Sequence, residues 1–171
     1  MNIEIFKKRT PLEYVIYSSI IVVGVLLDQL TKLLSVKFLM PLHTVPIIKD
    51  VLHLTYVENT GAAFGMLKDH RWIFIVTSTV TIVAILLYLY LGHAESMLYG
   101  ISLSMICSGG IGNMIDRLAL GYVVDFIDFR LINFAVFNGA DSFVTVGAGI
   151  LILALILDMK KEIAKSRGAG K

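Results

Sequence analysis

Four aspartates, Asp28, Asp116, Asp125 and Asp141, stand in or beside the most apolar stretches of a 171-residue chain that is 57% hydrophobic and 16% charged. A charge in hydrocarbon costs at least about 2.5–3.5 kcal/mol, so acids placed there are candidates for function. Two carboxylates about 4 Å apart repel by about 4 kcal/mol at an effective dielectric of about 20. That separates their protonations by about three pKa units, leaving one charged and one neutral near pH 7. The charged member takes a proton from water and the neutral one donates to a carbonyl oxygen. This is peptide hydrolysis by general acid–base catalysis, with no metal and no covalent intermediate.

The four acids differ in how easily a structural role explains them. Asp28 lies four residues before Lys32, and Asp116 is next to Arg117, so both suit ion pairs at helix interfaces. Asn113 shares a helix face with Asp116 and Arg117 through spacings of three and four. Asp141 suits a helix cap or first turn, with Asn138 three residues earlier able to approach the same helix start. Asp125 is harder to dismiss, because it sits between Val124 and Phe126 and the next cation along the chain is Arg130. Asp128 reads as a solvated or strand-face charge. Asp125 and Asp141 are therefore a possible working pair.

Other chemistry is weakly represented. His43, His53, His70 and His93 have no metal-ligand spacing and there is no HExxH, so no metal is expected. Cys107 is the only cysteine and reads as a small buried residue. A net charge of +2 without a basic, aromatic-rich stripe gives no reason to expect a nucleic-acid partner.

The elements that must position these acids are membrane helices. Four segments approach or reach the roughly 17–25 apolar residues that a span needs: about 14–34, 72–91, 97–115 and 141–157. The whole chain, 1–171, reads as one integral membrane domain. No small-residue cleavage site follows Leu27, so the first span reads as retained. Eight of the fifteen Lys and Arg residues lie in two short tails (Lys7, Lys8, Arg9; Lys160, Lys161, Lys165, Arg167, Lys171), which favours cytoplasmic termini. The connections at about 38–71 and 116–140 then lie outside, and the acids gather near the outer face. Leu52, Leu54 and Tyr56 alternate with polar residues, and Tyr122–Ile127 is rich in β-formers, so a small extracytoplasmic sheet is expected. Pro41 and Pro46 suit a turn or a sheet edge. Gly100, Ser104, Ser108 and Gly112 form a small-residue stripe for close helix packing. The segment Val51 to Phe64 is a candidate lid.

Five blocks together resemble the lipoprotein signal peptidases (signal peptidase II) of bacteria: Asp28-Gln29-Leu30-Thr31-Lys32, Asn59 to Gly65, Gly110 to Arg117, Gly121 to Asp128 and Phe137 to Ser142. The resemblance spans nearly all of the chain between the tails. It implies an all-α membrane protein of four transmembrane helices with a small extracytoplasmic β-cradle, in the bacterial inner membrane. It implies cleavage of a diacylglyceryl-modified prolipoprotein just before the lipidated cysteine, inhibition by globomycin and no cofactor. By block matching, Asp125 and Asp141 take the places of the catalytic pair. Asn59, Gly61, Asn113, Arg117 and Asn138 fall in the blocks around the site, and Asp28 and Lys32 match a further polar pair. The expected partners are the prolipoprotein and membrane lipids, with the chain a monomer. Gly139 departs from the usual Val or Ile and would loosen the entry to the fourth helix. A proton-coupled carrier, or an assembly protein whose polar pairs only fix packing, are the alternative readings.

Overall fold

The computed structural model describes residues 9–61, 71–91 and 96–169. Helix α1, Pro11–Leu34, starts on a reciprocal cap in which Thr10 Oγ1 accepts the Glu13 N–H and the Glu13 carboxylate accepts the Thr10 N–H. It runs on through a π turn at Ser35–Leu39 and a 3₁₀ turn at Met40–Leu42. Strands β1, Thr44–Ile48, and β2, Leu52–Asn59, follow. Then come helices α2, Arg71–Tyr90, and α3, Met97–Ala119, strand β3, Val123–Phe129, and helix α4, Gly139–Ala169. Among the described residues, four helices are long and apolar enough to cross a membrane. The helices exceed the apolar runs at several ends. Hydropathy marks the hydrocarbon thickness, whereas backbone hydrogen bonding continues into the polar flanks, carrying Asp116 and Arg117 on α3.

The sheet is antiparallel in the order β1-β2-β3, with β2 central. Pro46 lies in β1, where an edge strand tolerates a missing N–H. The alternation around Leu54 located β2, which runs on to Asn59. Leu52–Thr55 pairs with β1, and β2 pairs with β3 as far as Asn59, so this part of the candidate lid is a strand of the sheet. The rest of that lid segment, from residue 62, lies outside the described residues.

Helix α3 lies at the centre and packs on each of the other three. Its small-residue stripe is buried against α1: Tyr17 lies over Gly100, Ser108 Oγ donates to Ile21 O at 3.3 Å, and Asp28 lies over Gly112. A second set of small residues faces α4, where Gly109 meets Ala140 and Val144, and Gly147 meets Ser102 O. Lipid offers no hydrophobic drive between helices, so close backbone approach supplies it. The bundle buries serines and aspartates and turns residues such as Leu26 and Val80 outward, 63% and 64% exposed, as a helix bundle in lipid does.

Gly139 opens α4 between two hydrogen-bonded anchors. The Ala140 N–H and the Asn138 side chain hold the helix start from either side, and a Cβ at 139 would meet Asp28 Oδ1 at 3.5 Å and Thr31 Oγ1 at 3.7 Å, which is ordinary contact. Gly139→Ala is therefore expected to raise stability by about 0.4–1 kcal/mol through the unfolded chain, read as a higher unfolding temperature in detergent.

Candidate active site

The first turn of α4 forms around Asn138. Its Oδ1 accepts the Asp141 N–H at 3.0 Å while Asp141 Oδ2 accepts the Asn138 N–H at 3.2 Å, a reciprocal cap. Asp141 is thus a first-turn residue, and the cap is Asn138. The other carboxylate oxygen, Asp141 Oδ1, accepts from Asn113 Nδ2 at 2.8 Å. Asp125 sits on β3, 2% exposed. Both of its oxygens are taken: Oδ2 by Asn59 Nδ2 at 2.9 Å, across the β2–β3 pairing, and Oδ1 by Asn138 Nδ2 at 2.6 Å. Asn138, fully buried, therefore touches both acids, and its Nδ2 also donates to Asn113 Oδ1 at 3.1 Å.

Burial is the main force on the Asp125 carboxyl and pushes it up to about 7. The bond from Asn59 opposes this, the charge of Asp141 adds to it, and Asn138 and Lys32 pull it down. A carboxyl that holds its proton near neutrality beside a second acid is the arrangement that acid–base hydrolysis needs.

The remaining candidates divide into two layers. Arg117 Nη2 donates to Gly61 O at 3.4 Å, and Gly61 N–H donates to Asn59 Oδ1 at 2.9 Å, so the Asn59–Gly61 turn is tied to α3. The Arg117 guanidinium also lies 4.8 Å from the Phe74 ring centre. Asp125, Asp141, Asn59, Gly61, Asn113 and Arg117 line a cavity of about 600 Å³ whose other walls include Phe74, Phe134, Phe137 and Val146. Beneath it, Lys32 is 3% exposed and spends its three protons on Asp28 Oδ2 at 2.9 Å, Asp116 Oδ2 at 3.1 Å and Asn113 Oδ1 at 2.8 Å. The Asp28–Lys32 pair forms as its spacing suggested. The Asp116–Arg117 pair does not: neighbouring residues on a helix point about 100° apart, and Asp116 turns to Lys32. Asp128 is buried on the strand face, held by Thr55 at 2.7 Å and Arg130 at 3.0 Å, so it is not solvated.

Sequence reasoning gave no role to Gln29. Its Nε2 reaches Asp28 Oδ2, Gly112 O and Asp116 Oδ1 at 3.3, 3.2 and 3.0 Å. The signal was an amide within an apolar helix, flanked by a residue pair already suspected. Among the described residues, no group of three His, Cys, Asp or Glu is placed to hold a metal ion.

Known proteins share this architecture and sequence. A family model for signal peptidase (SPase) II matches residues 20–157. A lipoprotein signal peptidase of Caldanaerobacter subterraneus subsp. tengcongensis is 56% identical over 127 residues, covering 74% of this chain and 86% of that protein. One from Clostridioides difficile is 44% identical over 148 residues, covering 86% and 99%. A bacterial membrane enzyme solved by the in meso method at 2.3 Å superposes with a TM-score of 0.76 at 28% identity, covering 91% of this chain and 94% of that one. With its four apolar helices, its three-stranded sheet and this continuous sequence match, the chain belongs to the signal peptidase II family, the lipoprotein signal peptidases.

Proposed function

We propose that this chain is an aspartic endopeptidase that removes the signal peptide from diacylglyceryl-modified prolipoproteins, cutting just before the lipidated cysteine, with Asp125 and Asp141 as the catalytic pair. The observation that carries this reading is Asn138, which holds both acids of one cavity: its side-chain Nδ2 donates to the Asp125 carboxylate and its backbone N–H donates to the Asp141 carboxylate. In the reaction, the pair holds one proton. The ionised carboxylate takes a proton from a water molecule as its oxygen bonds to the scissile carbonyl carbon. The protonated carboxyl gives its proton to the carbonyl oxygen, forming a tetrahedral diol. The diol returns a proton to its carboxylate as the C–N bond breaks, and the nitrogen takes up the other proton. The proton belongs to the pair as a unit.

The supporting residues have distinct tasks. Asn59 and Asn138 fix the Asp125 oxygens, Asn113 fixes Asp141, and Arg117 with Gly61 closes the turn beside them. The apolar cavity walls suit a lipid-anchored substrate that diffuses in the membrane plane. The basic tails favour cytoplasmic termini, and that orientation supports acids at the outer face of the inner membrane, where the bond beside the lipid lies. A carrier would need acids partway along the spans, and Asp28, Asp116, Asp125 and Asp141 instead share one end of the bundle. The site is complete within one chain, consistent with a monomer in a lipid environment.

The test is cleavage by the purified chain in detergent with EDTA present, with products identified by mass spectrometry. A new amino terminus at the lipidated cysteine is expected, and an unlipidated precursor should be cut far more slowly. The rate should fall as pH rises through about 7, the value to which burial pushes the Asp125 carboxyl, because the pair then loses its shared proton. Asn59→Ala removes a bond that favours the ionised form, so this limb should move to higher pH. The stability contribution has the same sign. With its folded pKa raised, Asp125 adds stability fully below its unfolded value of about 3.9 and loses it as pH rises through about 7. Inhibition by EDTA, or an equal rate at pH 6 and pH 9, would overturn the assignment.

A further inference from the structure

Each catalytic aspartate is preceded by a peptide N–H that a distant carboxylate holds. The Val124 N–H, directly ahead of Asp125, donates to Asp116 Oδ2 at 3.0 Å. The Ala140 N–H, directly ahead of Asp141, donates to Asp28 Oδ1 at 2.8 Å. The two gripping carboxylates are themselves joined twice. Lys32 Nζ lies 2.9 Å from Asp28 and 3.1 Å from Asp116, and Gln29 Nε2 lies 3.3 Å and 3.0 Å from the same pair. Asp28, Lys32 and Asp116 are each at least 97% buried.

Ion pairing alone does not require this arrangement. A lysine between two aspartates at a helix interface leaves the carboxylates free to spend their other lone pairs anywhere nearby. Here both are spent on the peptides that carry the acids into the site. The Ala140 N–H is one of the first-turn donors that a helix cannot satisfy internally. A residue 112 positions away in the chain accepts it. The links therefore run from one catalytic residue, through its preceding peptide, across two carboxylates and one ammonium, to the other.

We propose that Asp28, Gln29, Lys32 and Asp116 form a yoke of positioning residues that sets the spacing between Asp125 and Asp141. The proposal rests on the catalytic-pair reading. None of the four lines the cavity, so the yoke acts on the spacing of the acids and not on substrate contact. Small displacements of reacting groups are costly, since a misplacement of about 1 Å can lower the rate about 100-fold.

The experiment measures kcat and KM for Gln29→Leu, Asp28→Asn, Asp116→Asn and the double variant Asp28→Asn with Asp116→Asn. Gln29→Leu removes one bridge and leaves no charge unpaired, so it decides the matter even where an aspartate variant does not fold. Each single variant is expected to lower kcat about tenfold with KM within about twofold. The double variant should fall well short of the 100-fold product, because both changes act on one spacing. Wild-type kcat in Gln29→Leu, a multiplicative double variant, or losses confined to KM or to unfolding temperature would overturn the yoke. Asp125→Asn and Asp141→Asn run alongside. Cleavage retained by either overturns the catalytic pair, whereas inactivity of both with wild-type kcat in the yoke variants overturns the yoke alone.

Discussion

Asp125→Asn and Asp141→Asn are each expected to lower kcat by about 10³- to 10⁴-fold while the chain stays folded. An amide neither takes a proton from water nor carries one to a carbonyl oxygen, so either change removes the function of the pair. The folded state tolerates the loss for different reasons at the two positions. Burial works against the charged form of Asp125, and a neutral side chain of the same shape escapes that penalty. Its new NH₂ group faces one amide donor, from Asn59 or Asn138, at a cost of about 1 kcal/mol. Asp141→Asn can keep an oxygen toward the Asn138 N–H or the Asn113 amide, and gives up the other bond. The check is cleavage of the lipidated precursor together with binding of an uncleavable analogue. Binding should persist where cleavage is lost, and full activity in either variant would remove that aspartate from the mechanism.

Lys32→Met is expected to produce the largest loss of stability, about 3–5 kcal/mol. The ammonium sits between carboxylates whose side chains are 1% and 4% exposed, and its removal leaves both charges facing each other without a counter-ion. For a chain of this size the loss corresponds to a drop of about 10 °C in the unfolding temperature in detergent. Adding Asp28→Asn and Asp116→Asn to the same chain should restore most of it, since neutralising a whole buried triad is far less costly than breaking it. Unfolding of Lys32→Met at the wild-type temperature would mean that the network does not hold the bundle together.

Much of this was legible in the sequence because membranes make polarity conspicuous. Uncharged runs such as 72–91 and 97–115 located the helices, and acids beside such runs marked the candidate site. The stripe from Gly100 to Gly112 declared a close helix contact, though not that α1 would fill it. What stayed hidden depended on direction. Asp116 had two cations within reach, and only the helical turn between adjacent side chains decides for Lys32 over Arg117. Strand β1 lacked alternation because its residues are almost all exposed, so Pro46 hinted at an edge without revealing a strand. Asn138 was read as approaching the helix start. Its second role, on Asp125, depends on a β3-to-α4 contact that no local pattern encodes.

The reciprocal cap at Asn138 also has a consequence for the order in which the enzyme is made. Asp141 finds its place within four residues, as soon as the first turn of α4 exists. Asp125 waits for strands 66 residues apart to meet, and then for the same Asn138 to arrive from behind. Since α4 follows β3 in the chain, Asp125 lacks its Asn138 partner until α4 has formed. The proposed pair is therefore assembled only when the start of α4 has docked against β3.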